Sequence, residues 1–170
     1  MQSAPADPGA FQIEFFKFEG TTVAWANLFA INDHESFIPV CLQLFQQLSS
    51  YDKLALLNNR YDRPERVAWF AELAQQLQFD RVIALGAYER EVRQFFVNTP
   101  DQLLELGFSS RFSHAEATTL LRQILAHTKG RQVLLVGAVN IHTEQAERLM
   151  HLFEEFREGE RYSREGTSIY

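Results

Sequence analysis

Cysteine is almost absent: Cys41 is the one thiol in 170 residues, which excludes an internal disulfide and a thiolate metal cluster. Lysine is scarce too. Only Lys17, Lys53 and Lys129 are present, and the rest of the 16 basic residues are arginine, so the positive charge is carried by planar forks suited to carboxylates and phosphates. Acidic residues outnumber basic ones 22 to 16 for a net charge of −6, with no basic run or stripe. A general binder of nucleic acid or of a membrane surface is excluded on that ground. No stretch approaches the ~18 apolar residues that span a bilayer, and residues 1–8 lack the basic and apolar regions of a secretory signal. These absences describe a reduced, soluble, cytoplasmic domain.

Signature loops are missing as well. No Gly-x-Gly-x-x-Gly follows an apolar run and no Gly-x-x-x-x-Gly-Lys-Ser/Thr occurs anywhere, so the chain cannot cradle nucleotide phosphates in either familiar way. There is no Gly-x-Ser-x-Gly elbow. His34 beside Glu35 has the form of the start of a zinc-protease helix, but position 38 is Ile, so the second ligand is lacking. No metal is expected.

What is present is enough apolar sequence, 46% of residues, to build one core. Residues 1–10 read as a flexible leader or linker remnant, 11–157 as the folded domain, and 158–170 as a loose polar tail. Two extended runs, 11–18 and 21–28, flank Glu19-Gly20 and predict an antiparallel hairpin. The first run alternates at Phe11, Ile13 and Phe15, the pattern of an edge strand with one wet face. Helices are then predicted over 36–50, 64–78, 89–97, 115–128 and 143–157. Strands are predicted over 53–58, 81–86 and 131–137. The strand centres Leu54-Ala55-Leu56-Leu57, Val82-Ile83-Ala84-Leu85 and Val133-Leu134-Leu135-Val136 are continuously apolar, as in strands covered on both faces. The fold class that follows is α/β: a three-layer, Rossmann-like domain with a mostly parallel sheet and an N-terminal antiparallel hairpin. Cys41, inside the first helix between Val40 and Leu42, reads as a packed small hydrophobe.

Ligands of such sheets sit in the loops at the carboxyl ends of the strands. Before the first helix, Asn32 with Glu35 or Asp33 with Ser36 offers an N-cap. After the first parallel strand of the series comes Asn58-Asn59-Arg60-Tyr61-Asp62-Arg63-Pro64-Glu65-Arg66. There Asp62 and Glu65 have the form of a capping box, and Pro64 suits a first turn. Arg60, Arg63 and Arg66 crowd a helix N-terminus, where exposed cations are disfavoured by roughly 0.3–1 kcal/mol each. An anion held between the forks and the free amides would account for them. Tyr88 suits the rim of such a site. In the last loop, Gly137 permits a close approach or a positive φ, Asn140 or Thr143 caps the final helix, and His142 is positioned to meet a ligand.

Three stretches together resemble one family. Asn27-Leu-Phe-Ala-Ile-Asn-Asp-His-Glu-Ser36 looks like the Asn-Ala-Phe-Ala-Ala-Asn-Asp-Pro-Glu-Ser stretch of the poly-γ-glutamate synthase ligase subunit of the PgsB/CapB type. Residues 57–66 look like its Asn-x-Arg-x-Asp-Arg-x-x-Arg signature, and 136–142 resemble its Gly-x-Gly-Asn-Ile-His-Gly segment. The order and spacing match over about residues 11–157. Departures are Leu28 for Ala, His34 for Pro, Ala138-Val139 for a glycine-rich turn, and Thr143 for Gly. The family is similar to Mur-type amide ligases, in which a P-loop domain binds ATP and a C-terminal Rossmann-like domain closes over it, and the resemblance covers the C-terminal domain alone.

That resemblance implies a γ-glutamyl amide bond made through an acyl phosphate. ATP and Mg would be held mainly by a P-loop domain in cis or in trans, and the isolated chain would be inactive. Arg60, Arg63 and Asn32 would be catalytic. Asn59, Asp62, Arg66, Asn140 and His142 would bind substrate (glutamate or polyglutamate), and Asn27 and Asp33 would approach the nucleotide. Membrane subunits of a polyglutamate synthase are implied partners; nucleic acid is not. Two readings compete: a non-catalytic carboxylate- or phosphate-binding module, and an assembly element whose edge strand pairs copies into a homo-oligomer.

Overall fold

The computed structural model describes residues 13–31, 33–107, 114–126, 128, 130–139 and 143–167. The chain opens with a hairpin, β1 (Ile13–Phe18) and β2 (Thr21–Asn27), paired antiparallel with Phe18 opposite Thr21. Glu19 (φ 47) and Gly20 (φ 85) both take positive φ, the backbone a two-residue hairpin needs to match the strand twist. The Glu19 carboxylate also takes the Arg122 fork at 2.6–3.1 Å. That pair holds the Glu19 carboxyl below its usual range, and it docks the hairpin tip on a later helix.

The alternation of helix and strand then follows as expected: α1 (His34–Gln47), β3 (Asp52–Asn59), α2 (Pro64–Gln76), β4 (Arg81–Gly86), α3 (Glu89–Gln94), β5 (Leu103–Gly107), α4 (His114–Leu125), β6 (Gln132–Val139) and α5 (Glu144–Thr167). One six-stranded sheet results, ordered β1-β2-β6-β3-β4-β5, parallel throughout except for β1. The chain steps outward from β3 to β5, then returns through α4 to place β6 between β2 and β3. Among the described residues no helix is long and apolar enough to cross a membrane.

Strand alternation divides the core cleanly into two layers. Ala24, Ala26, Ala55, Leu57, Val82, Ala84, Leu134, Val136 and Ala138 face α1, α2 and α3. The interleaved Val23, Trp25, Leu54, Leu56, Ile83, Leu85, Val133 and Leu135 face α4 and α5. The first face is rich in alanine, so the helices there supply the bulk, with Phe37 and Phe70 in edge contact at 5.5 Å. The second face supplies bulk from the sheet. Trp25 and Phe16 meet Phe153 of α5 at ring distances of 4.9 and 5.0 Å. Gly137 is what admits this packing: a Cβ there would fall 2.8 Å from Phe29 Cζ and closer still to Trp25. The close approach anticipated at Gly137 is therefore present, without a positive φ.

Four expectations need correction. β5 has no counterpart in the sequence reading, because its five residues, Leu103 to Gly107, follow a 3-10 turn at Pro100–Gln102 and include Glu105, so they lack the continuous apolar run that marks the other parallel strands. β1 is an edge strand as expected, but its buried face is that of Phe16 and Phe18; Phe15 is 46% exposed. The reason is coverage: α5 packs over the first of these faces, while Phe15 shares the other face with Ile13. The stretch read as a loose tail is helical as far as Thr167, since α5 continues ten residues past Arg157. Its Arg157 pairs with Glu14 of β1, and Phe156 stacks on Phe16 at 5.9 Å, which ties the helix to the hairpin where it was expected to end. Finally, α1 starts two residues early, at His34, because Asp33 is its cap.

Cys41 is fully buried, as expected, and desolvation pushes its thiol up to about 12. Thiol reagents at pH 8 should therefore label the native chain only as fast as it unfolds; prompt labelling would contradict this packing. Because the unfolded thiol ionises near 9 and the folded one does not, stability should decline as pH rises from 9 towards 12. Gln78, exposed and at φ 58 just beyond the end of α2, occupies a left-handed position that glycine usually fills. Gln78→Gly should stabilise the fold by about 0.5–1 kcal/mol in chemical denaturation, because it removes Cβ strain and no contact. A fall in the midpoint would show that the side chain contributes there.

Candidate functional site

The carboxyl end of β3 carries two adjacent amides, and the pleat sends them to opposite faces. Asn58 shares the face of Leu56 and reaches the start of α5, where Thr143 Oγ1 donates to its Oδ1 at 2.9 Å. The same hydroxyl accepts from Ala146 N–H at 3.2 Å, so of the two caps the sequence offers, Asn140 and Thr143, it is Thr143 that caps α5, and Asn58 steadies it. Asn59 shares the face of Leu57, towards α2. It is 2% exposed, and neither its Oδ1 nor its Nδ2 has a hydrogen-bond partner among the described residues. A buried amide left without partners costs free energy comparable to a lost hydrogen bond or more.

The β3–α2 loop does not use its arginines alike. Arg60 closes on Asp62 through two bonds, Nε to Oδ1 at 2.9 Å and Nη2 to Oδ2 at 2.6 Å. That bidentate pair corrects the expected capping box. Asp62 is turned away from the helix, the N-cap position belongs to Arg63, and no side chain caps α2. A charged fork across one tight turn outcompetes a single carboxylate-to-amide bond. Pro64 begins α2 as expected. Arg63 is exposed at the cap position, and its guanidinium has no partner among the described residues. Arg66, half-buried one turn into α2, directs Nη1 at the Val139 carbonyl, a long contact of 3.5 Å.

Neighbouring loops close around this segment. Ala87 N–H donates to the Asn59 carbonyl at 3.0 Å. Gly86 (φ +83) makes that possible, since a Cβ there would lie inside contact distance of the Asn59 carbonyl oxygen. The Tyr88 hydroxyl donates to the Tyr61 carbonyl at 2.6 Å. Val139, at the end of β6, is fully buried with φ 89. A β-branched residue rarely adopts such a backbone, and residues held this way cluster at functional sites. It stands where the family resemblance places glycine, and the positive φ offered as one alternative for Gly137 occurs here, two residues later.

The structure thus brings Asn59, Arg60, Asp62, Arg63 and Arg66 to one end of α2. Asn27 does not join them. It lies on the α5 side of the sheet, accepts from Phe29 N–H at 3.2 Å, and lines a hollow of about 270 Å³ with Glu14, Trp25, Met150 and Glu154. Asp33 caps α1, its Oδ1 accepting from Ser36 N–H at 2.8 Å. Asn32, Asn140 and His142 lie outside the described residues. Asn58 and Val139 are the participants that sequence reasoning missed. The Asn58-Asn59 pair ending an apolar strand was the available signal for the first; nothing local marks the second.

Comparison with known proteins follows from this geometry. Two solved structures share the fold over 84% of the chain at 14% identity. One is titled crystal structure II of MurF from Acinetobacter baumannii (TM-score 0.54). The other is UDP-N-acetylmuramoylalanyl-D-glutamyl-2,6-diaminopimelate--D-alanyl-D-alanyl ligase from the same organism (TM-score 0.51). The chain spans 30% and 28% of their respective lengths. No curated protein matches the sequence significantly. The profile of the poly-gamma-glutamate synthase CapB C-terminal domain matches residues 13–156, which is most of the chain and includes every described strand. The chain belongs to the poly-gamma-glutamate synthase CapB C-terminal domain family.

Proposed function

We propose that this domain binds substrate and closes the site of an ATP-dependent amide ligase that forms γ-glutamyl bonds through an acyl phosphate. The observation that carries the reading is the orphaned, buried Asn59 amide on the α2 side of the sheet, beside a helix start without a side-chain cap and the open Arg63 fork. A carboxylate or phosphoryl oxygen placed there would accept from the first-turn amides and from Arg63, and from the enclosed Asn59 Nδ2 once the surrounding loops part to admit it, and would offset the charge penalty of cations at a helix N-terminus. These residues fit one anionic group. They do not amount to a nucleotide cradle, so ATP and Mg belong to a P-loop domain supplied in cis or in trans, where they would supply the activation of a carboxyl.

What this chain contributes is orientation and exclusion of water. Asn59 and Arg63 hold the anion in a fixed direction, and closure of the two domains would keep water from a hydrolysable intermediate. Arg60, neutralised by Asp62 at rest, would act on substrate only if that pair opened. By the family resemblance Asn32 would be catalytic and Asn140 and His142 would bind substrate, and membrane subunits of a polyglutamate synthase would be partners of the complete enzyme. The closed Arg60–Asp62 pair favours a second reading, a non-catalytic carboxylate- or phosphate-binding module, since one of three cations is already satisfied.

Three experiments test the reading. Mixed with a P-loop partner, the chain should restore ATP-dependent γ-glutamyl ligation that neither part performs alone. Arg63→Ala should lower kcat/KM by about 10- to 100-fold, the worth of a charge-assisted bond. A mixture that stays inactive while a γ-glutamyl peptide binds tightly to this chain alone would favour the binding module. Asn59→Leu separates function from packing: it should stabilise the isolated chain by about 1–3 kcal/mol while weakening calorimetric binding of γ-glutamyl peptide at least tenfold. A destabilised Asn59→Leu chain that still binds would assign Asn59 to the fold instead.

A further inference from the structure

The carbonyls on either side of Arg60, those of Asn59 and Tyr61, are both taken by the turn between β4 and α3. Ala87 N–H holds the first at 3.0 Å and the Tyr88 hydroxyl holds the second at 2.6 Å. The Tyr88 ring also lies against the Tyr61 ring, with centroids 5.9 Å apart and planes at 56°. Tyr61 itself is 66% exposed, so this contact does not form part of the core.

Tyr88 is well placed to act as a fixed point. Its backbone is left-handed (φ 64, ψ 34), an uncommon state for an aromatic residue, and it stands at the N-cap of α3. Its carbonyl receives Val92 N–H at 3.1 Å. Two residues earlier, Gly86 has a positive φ and no room for a side chain against Asn59. The strained turn therefore projects one N–H and one hydroxyl onto a neighbouring loop at a two-residue interval. The loop between β3 and α2 has only four residues, 60–63, so holding it at position 61 leaves Asp62 and Arg63 little freedom.

We infer that Tyr88 is a positioning residue: through the Tyr61 carbonyl it sets the β3–α2 loop so that Arg60 closes on Asp62 and Arg63 stays open. Its functional consequence rests on the reading of Asn59 and Arg63 as an anion site, whereas its effect on the loop does not. Directional guanidinium bonds lose strength quickly when the fork is displaced, so a loop released by removal of one hydroxyl should bind less well although no ligand contact is deleted.

The test uses the full chain with Tyr88→Phe, which keeps the ring and loses the hydroxyl. Tyr88→Asn, which loses both yet tolerates the left-handed backbone, provides a second variant. Amide hydrogen exchange is read at residues 61–63 and in β4 and β6, and tri-γ-glutamate serves as the probe in calorimetry. Tyr88→Phe should speed exchange at 61–63 by about 3- to 10-fold, leave the strands unchanged and raise the probe Kd by a similar factor. Tyr88→Asn should exceed it in both. The double variant Arg63→Ala/Tyr88→Phe should bind no worse than Arg63→Ala, because Tyr88 acts through the loop. Unchanged exchange at 61–63 in both variants would overturn the inference. So would additive losses in the double variant, which would mean that Tyr88 touches the ligand itself. If wild-type chain fails to bind the probe, the anion-site reading fails, and the exchange rates alone still decide the role of Tyr88.

Discussion

A buried amide with no partner among the described residues marks the carboxyl end of this sheet. Asn58 and Asn59 end the same apolar strand, are both fully enclosed, and differ only in the face to which the pleat sends them. Asn58 finds Thr143 and becomes part of a helix cap. Asn59 finds no side chain, no cap and no carbonyl among the described residues. Folding tolerates such a group only when the rest of the domain supplies a surplus, and the dense packing on both sides of β3 supplies it. The uncapped start of α2 and the open Arg63 belong to the same end of the same layer. These three features share one end of one layer.

The two layers reach their density by opposite means. On the α1–α2 side, alanines in β2, β3, β4 and β6 keep the sheet surface low and the helices fill it with phenylalanine and leucine. On the α4–α5 side, the sheet itself is bulky and Gly137 provides the recess for Trp25 and Phe29. Exchange of large and small residues across either interface would leave voids or clashes worth several kcal/mol, since interiors of this kind pack like crystals. The aromatic group of Phe16, Phe18, Trp25, Phe153 and Phe156 also anchors α5 on the hairpin and explains why β1 buries the face that it does.

The arginine cluster shows how residue type and residue role separate. Arg60, Arg63 and Arg66 look equivalent in the sequence, and the crowding of cations at a helix start correctly drew attention to the loop. In the fold they are three different things: one fork closed on an acid, one open, and one directed at the carbonyl of a strained valine. Charge and spacing cannot distinguish these outcomes, because each depends on how the folded loop turns and on which carbonyl or carboxylate then lies within reach. Val139 makes the same point in the backbone. Glycine at 137 drew the expectation of a close approach or a positive φ; the close approach is what it serves, and the left-handed conformation falls on a buried valine two residues later.

Hydrophobic period and turn chemistry were sufficient to specify the α/β class, the hairpin at Glu19-Gly20, the three covered parallel strands and the helices that follow them, because each is encoded within a dozen neighbouring residues. The family resemblance was legible too, in loops whose residues stand close along the chain. Left to tertiary structure were the short edge strand β5, the continuation of α5, the choice of buried face in β1, and the partners of every site residue. Most of these rest on contacts between segments far apart in the chain, such as Asn58 with Thr143 and Glu14 with Arg157, while Arg60 finds Asp62 within its own turn. Local pattern sets which groups arrive at the carboxyl edge; only packing decides which of them are satisfied when they get there.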